Sequence, residues 1–124
     1  MKGKEIMTIP HNHHDEEISK NIMETMPSDE AVNSVSEAMK QLGDPSRLRI
    51  FWILCHTEEC VIDIAAMTEM SSPAVSHHLR LLKTAGLIEA RRAGKEMYYK
   101  ASDTVLVRKL HKVIEEIADI TCPE

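Results

Sequence analysis

The stretch VIDIAAMTEMSSPAVSHHLRLLKTAGLIEARRAGKEMYYKA, Val61 to Ala101, decides the fold. Its middle third carries the clearest start and stop signals in the chain. Ser72 suits an N-cap, Pro73 suits the first helical position, and Gly86 stands just past the last turn. Between them Val75, Leu79 and Leu82 recur at i, i+4 and i+7, the spacing of one buried stripe. Ser76, Arg80 and Lys83 repeat that spacing about 100° further round the helix, with His77 beside them. One face is therefore apolar, and the other offers short donors and positive charge. Ahead of this helix a shorter one is expected over about Val61 to Glu69, joined to it by the tight turn EMSS. Behind it, LIEAR and EMYYKA read as two short strands around RAGK, a β-hairpin with a basic tip.

A short helix, a tight turn, a helix with a polar N-terminal half and a basic hairpin match the winged helix-turn-helix plan, in which the second helix enters the major groove. On that plan Ser72, Ser76 and His77 face bases or phosphates, and Arg80 and Lys83 suit phosphates or guanine edges. Arg91, Arg92 and Lys95 of the wing lie along the backbone or minor groove. Taken one at a time, each of these is an ordinary solvated side chain; the combination is what points to DNA. The formal net charge of -5 hides an asymmetry. Residues 1–44 carry four Lys against nine Asp and Glu, whereas residues 72–100 carry six Lys and Arg against two Glu. Salt screens charges beyond about 8 Å, so a basic module on an acidic body still attracts phosphate.

The rest of the 124 residues gives a mainly α chain with one domain and a modest core. Residues 1–16, with HNHHDEE, form a flexible His-rich tail, and residues 17–124 form the DNA-binding and dimerisation domain. Helices are expected at about 17–26 and 29–42, the second capped by Ser28 or Asp29. Another runs from Pro45 to about His56, with Leu48, Phe51, Trp52 and Cys55 as its apolar positions. A last helix, capped by Ser102 or Asp103, runs to about Ile120. Its Leu106, Leu110, Val113, Ile117 and Ile120 make a seam that a partner subunit, or the chain's own N-terminal helix, would cover. The longest apolar run, Ile50 to Cys55, is far too short to span a bilayer, and the N-terminus lacks an apolar signal core. Three irregularly spaced cysteines make no disulfide framework, so a reduced, cytoplasmic chain is expected. An enzyme is not: Ser76 and His77 are adjacent, about 100° apart on a helix, and no glycine-rich phosphate loop occurs.

Cys60 and Asp63 stand three apart, on one face of a helix and within reach of a shared partner. They read either as half of a metal site or as a core cysteine beside a solvated acid. Here LGDPSRLRI (42–50), ECVIDIA (59–65) and VSHHLRLLKTAGLIEARRAGKEMYYKAS (75–102) are informative. Together they resemble the ArsR/SmtB family of metal-responsive bacterial repressors, over about Val35 to Ile120. The resemblance implies a homodimeric winged-helix repressor whose first and last helices build the dimer interface and which leaves its operator DNA when an inducer binds. It also implies a metal site in which Cys60 and Asp63 are joined by tail ligands, with His11, His13 and His14 as candidates and Asp15 and Glu16 nearby. One thiolate, imidazoles and a carboxylate suit Zn(II), with Co(II), Ni(II) or Cd(II) as further possibilities. Ile62 stands where arsenic- and cadmium-responsive relatives carry a second cysteine, which disfavours a thiolate-rich site.

A second family site, across the last helices of the dimer, maps onto Asp103, Glu116 and Asp119. Val105 replaces an imidazole there, leaving a weak, hard set; Asp103 then reads as an N-cap, and His111, outside the pattern, as a surface residue. Some relatives respond instead to sulfide or persulfide through two cysteines, and Cys55 and Cys122 fall close to those places. From another class, a metal-storage or delivery protein has only the His-rich tail in its favour.

Overall fold

Six helices and three short strands succeed one another in the computed structural model, which describes residues 9–11, 13 and 15–119. The chain divides into two compact units, Met1–Ser36 and Glu37–Glu124. The first holds α1 (Glu16–Thr25) and the start of α2 (Asp29–Leu42). Asp15 caps α1 by accepting a hydrogen bond from the Ile18 amide at 2.9 Å, and Ser28 accepts from the Ala31 amide at the start of α2. Of the two caps expected for α2, Ser28 is the one used. Ile18, Ile22, Met26, Val32 and Val35 are all exposed, an apolar population that this unit does not bury in itself.

The second unit holds the end of α2, then α3 (Pro45–His56), β1 (Glu59–Cys60), α4 (Val61–Thr68), α5 (Ser72–Thr84), β2 (Ile88–Ala93), β3 (Glu96–Ala101) and α6 (Val105–Ala118). Its core is aliphatic with one ring: Ile50, Phe51 and Leu54 from α3, Ile64 from α4, Val75, Leu79 and Leu82 from α5, Leu87 and Ile88, and Val107 from α6. The i, i+4, i+7 stripe of α5 is thus buried throughout, as its spacing predicts. Burying each such side chain is worth about 1.5–3 kcal/mol, and this sum fixes the roll of α5 and hence which face it shows to solvent.

The termini of α5 follow from local chemistry. Ser71, not Ser72, is the N-cap: its Oγ accepts from the Ala74 amide at 3.3 Å, and Ser72 is already the first helical residue. At the other end the Gly86 amide donates to Lys83 and the Leu87 amide to Leu82, with Gly86 at φ 76. This left-handed residue ends the helix and sends the chain into β2. The hairpin turns at Gly94, φ 63, with Arg91 opposite Tyr98 and Ala93 opposite Glu96. A third strand escaped the sequence reading: β1 pairs with β3 through Glu59–Tyr99 and Cys60–Tyr98, so the sheet order is β1-β3-β2. Two residues carry no legible period, which is why only the hairpin was expected.

The cap of α6 is Thr104, which accepts from the Val107 amide at 3.2 Å; neither Ser102 nor Asp103 fills that place. The expected seam of α6 also divides. Leu106 and Leu110, with Val107 and Ile114, pack on the chain's own core, while Val113 and Ile117 are exposed, Ile117 at 81%. Ile120 lies outside the described residues. The reason is periodic: a helix needs a stripe wider than a two-position seam to cover a globular core, and α6 uses its neighbouring positions for that. None of the described helices is long and apolar enough to cross a membrane.

Candidate nucleic-acid interface and metal sites

Because α5 buries Val75, Leu79 and Leu82, its opposite face must point outward, and Ser72, Ser76, His77, Arg80 and Lys83 are all exposed on it. Arg80 Nη2 and His77 Nδ1 lie 3.0 Å apart, so the imidazole steadies the guanidinium one turn further on. Ser76, Arg80, Lys83, Thr84 and Tyr99 surround a shallow, open depression between α5 and the wing strand β3. The adjacent histidine behaves differently. His78 is half-buried and its Nδ1 lies 3.3 Å from Arg47 Nη1 at the start of α3. Burial, partly offset by the Asp44 carboxylate, lowers its affinity for a proton, which favours the neutral ring as an acceptor for Arg47. Of the pair HH, one side chain faces solvent and the other braces two helices.

The wing is not uniformly available. Arg91 donates to both carboxylate oxygens of Glu58, at 2.9 and 2.6 Å, and its guanidinium sits 5.3 Å from the Tyr98 ring centre. The hydrogen bond from Arg91, then its charge, hold the Glu58 carboxyl below the usual carboxylate range. A bidentate fork of this kind uses the same donors a phosphate would need. Arg92 and Lys95, exposed nearer the turn, make no ion pair among the described residues. Lys100, on the same sheet, is paired across strands with Glu89 at 3.4 Å.

Cys60 is the N-cap residue of α4 and the last residue of β1. Its side chain makes no capping hydrogen bond and is only 7% exposed. Asp63 follows in the first turn of α4 and is exposed. The pair lies at a junction: behind Cys60 is the strand hydrogen-bonded to the wing, and ahead of it the helix that leads into the reading helix. His11 and His13 belong to the first unit, where both are exposed and their rings stack at 6.4 Å; His14 lies outside the described residues. Asp15, counted among the possible tail ligands, is occupied as the α1 cap.

Asp103 is exposed and ion-paired with Arg108, Glu116 lies 3.9 Å from Lys112, and Asp119 closes α6 in the left-handed region. Asp103 precedes α6, and from Val105 to Glu116 alone the helix rises about 16 Å at 1.5 Å per residue, so one chain does not bring these three carboxylates to one ion. Cys55 is half-buried and packs against the core, and Cys122 lies outside the described residues.

Among the described residues one group of three donors does converge, and the sequence reading missed it. His56, His111 and Glu115 bring two ring nitrogens and a carboxylate oxygen within 4.8 Å of one another. His111 is therefore not a surface residue: it is half-buried against the end of α3. The i, i+4 spacing of His111 and Glu115 was the local signal available, but nothing in the chain announces that residue 56 meets residue 111.

Residues 44–90 match the family model described as bacterial regulatory protein, arsR family. The chain is 35% identical over 106 residues to a transcriptional repressor SmtB homolog from Synechocystis, covering 86% of this chain and 80% of that protein. It is 37% identical over 90 residues to a cadmium resistance transcriptional regulatory protein CadC homolog from Staphylococcus aureus, covering 69% of this chain and 74% of that one. Among solved structures it is similar to a homodimeric winged helix-turn-helix DNA-binding domain from Mycobacterium bovis. That match has a TM-score of 0.65 and 33% identity, and covers 75% of this chain and 88% of the other. With the reading helix, the wing and these relatives together, the chain belongs to the arsR family of bacterial regulatory proteins, which are winged helix-turn-helix transcriptional regulators and not enzymes.

Proposed function

We propose that this chain is a cytoplasmic repressor that binds operator DNA as a homodimer and is released when a divalent metal, in the first place Zn(II), binds at Cys60 and Asp63 together with imidazoles of the tail, His11, His13 or His14. The observation that carries the reading is the position of Cys60, at the junction of the wing's sheet and the first helix of the helix-turn-helix. A ligand there acts on both DNA-reading parts through rigid elements. The donor set fits a borderline-soft ion: a thiol at the start of α4, an exposed carboxylate one turn on, and histidines on a separate unit. When bound, the ion would supply a fixed tether between the tail and the helix-turn-helix.

The DNA side of the reading rests on Ser72, Ser76, His77, Arg80 and Lys83 on one exposed helix face and on Arg92 and Lys95 at the wing tip. Dimerisation is supported by the exposed Val113 and Ile117 of α6 and by the apolar residues that the first unit leaves uncovered. Two reading helices must meet half-sites about 34 Å apart. A tether that favours another spacing lowers operator affinity by a coupling of about 1–3 kcal/mol.

The test is a titration of the protein onto duplexes selected from a random-sequence pool by the metal-depleted protein, with and without Zn(II). Expected is at least fivefold weaker binding with Zn(II), abolished in Cys60→Ser, with metal-free affinity kept. Unchanged affinity in Zn(II) contradicts the proposal. So does release by polysulfide alone with a Cys55–Cys122 link, which would make the inducer a thiol oxidant.

A further inference from the structure

We propose that His56, His111 and Glu115 form a second divalent-metal site, separate from Cys60 and Asp63, which clamps α3 to α6 within one chain. The three donor atoms stand in a near-equilateral triangle. His56 Nε2 to His111 Nε2 is 2.9 Å, His111 Nε2 to Glu115 Oε2 is 3.2 Å, and His56 Nε2 to Glu115 Oε2 is 3.5 Å. Such a triangle has its corners about 1.9 Å from a common centre, so an ion at the usual Zn–N and Zn–O lengths of about 2.0–2.2 Å fits just above its plane. Surface acid clusters rarely look like this, since their carboxylates diverge into water. Here both imidazoles present the same ring nitrogen to a single point.

The surroundings are those of a built site. The three side chains are 14–22% exposed, enough to desolvate the donors and to leave one coordination position to solvent. The Trp52 ring lies 4.4 Å from the His56 ring and holds its plane, and its own Nε1 is buried without a hydrogen-bond partner. Two imidazoles and one carboxylate select Zn(II), Co(II) or Ni(II) over Mg(II) and Ca(II), which prefer all-oxygen sets.

The site stands without the Cys60 reading, but its consequence for DNA rests on that of a dimeric repressor. α6 carries the exposed Val113 and Ile117, and α3 packs against the reading helix α5. An ion joining α3 and α6 would therefore stiffen the scaffold between the dimer face and the DNA face without setting the spacing of the reading helices, which stays with Cys60.

Trp52 is the only tryptophan and stands beside the site, so its emission reports occupancy. The experiment uses the full chain with Cys60→Ser and with His11, His13 and His14 changed to Asn, titrated with Co(II). Expected are one Co(II) per chain, visible d–d absorption without a thiolate band, quenched Trp52 emission, and displacement by Zn(II). His56→Gln, His111→Gln and Glu115→Gln should each weaken binding at least about tenfold, with helicity by circular dichroism unchanged. Absent quenching, or quenching that survives both histidine changes, overturns the site. Should those variants unfold, the parent decides: Zn(II) must shift the side-chain NMR signals of His56 and His111 together, and two unmoved rings contradict the proposal. Because Cys60 and the tail histidines are absent from the titrated variant, failure here leaves the Cys60 tether untouched, and loss of the Cys60 response leaves this site intact.

Discussion

Glu58→Ala should strengthen DNA binding, which is not what removing an acidic residue remote from the reading helix would ordinarily do. The expectation comes from the fork that holds Arg91: both carboxylate oxygens of Glu58 accept from it, at 2.6 and 2.9 Å. While that fork lasts, the charge of Arg91 is balanced and its donors are taken, so on the proposed reading the wing has Arg92 and Lys95 left for phosphate. Removing the carboxylate returns one cation per wing. Each added phosphate contact steepens the salt dependence of binding by about 0.9 in log–log slope, so two wings add about 1.8, a gain of roughly twelvefold at 50 mM relative to 200 mM salt. The assay is fluorescence anisotropy of a duplex across that range, for the parent, Glu58→Ala, Arg91→Ala, their double variant and Arg92→Ala. Arg91→Ala alone should change the slope little, and in the double variant the gain should vanish. If Arg91→Ala flattens the slope as much as Arg92→Ala does, Arg91 already serves phosphate in the parent and the fork does not withhold it. The same fork gives a pH signature with a definite sign. Glu58 is held low chiefly by the Arg91 hydrogen bond, so the fork is intact at neutral pH and is lost as pH falls through that depressed value. In Arg91→Ala the Glu58 titration followed by NMR should move up toward the ordinary value of about 4.3.

Three further outcomes follow from local structure. Thr104→Ala should cost about 1 kcal/mol in urea unfolding through loss of the α6 cap, whereas Asp103→Asn, which touches only an exposed ion pair, should cost under about 0.5 kcal/mol. Leu79→Ala, at a fully packed position between the reading helix and α3, should cost about 2–5 kcal/mol by the same measurement. Val113→Asp with Ile117→Asp, both on exposed ground, should leave the monomer folded yet halve the mass found by sedimentation; an unchanged mass would put the dimer face elsewhere.

How far the sequence reveals all this depends on whether an interaction is local or distant. The buried stripe of α5, the glycine stop at Gly86 and the proline start of α3 are contained in windows shorter than twenty residues, and the structure follows them to within a residue or two. Where several small polar residues compete, the window does not choose. Ser71 outcompetes Ser72, and Thr104 outcompetes Asp103, because the cap goes to whichever oxygen reaches the amide three residues on. Contacts across the chain leave no local trace. Glu58 gripping Arg91 and His56 meeting His111 span 33 and 55 residues, and both occupy polar atoms that a local window would leave open. The α6 seam was half right for a related reason: the sequence shows that Leu106, Leu110, Val113 and Ile117 are apolar, but not which of them the chain's own core takes first.

By linkage, the coupling between metal and operator can also be read from the metal's side. Whatever factor Zn(II) takes from operator affinity, the operator must take from Zn(II) affinity. The direct measurement is a Zn(II) competition titration against a chromophoric chelator, on the full chain alone and saturated with its selected duplex. The Cys60 tether predicts affinity lower on DNA by about 5–150-fold, equal to the loss seen in the DNA titration and reduced to unity in Cys60→Ser. Equal Zn(II) affinity for the two forms would contradict it, however tightly the metal binds.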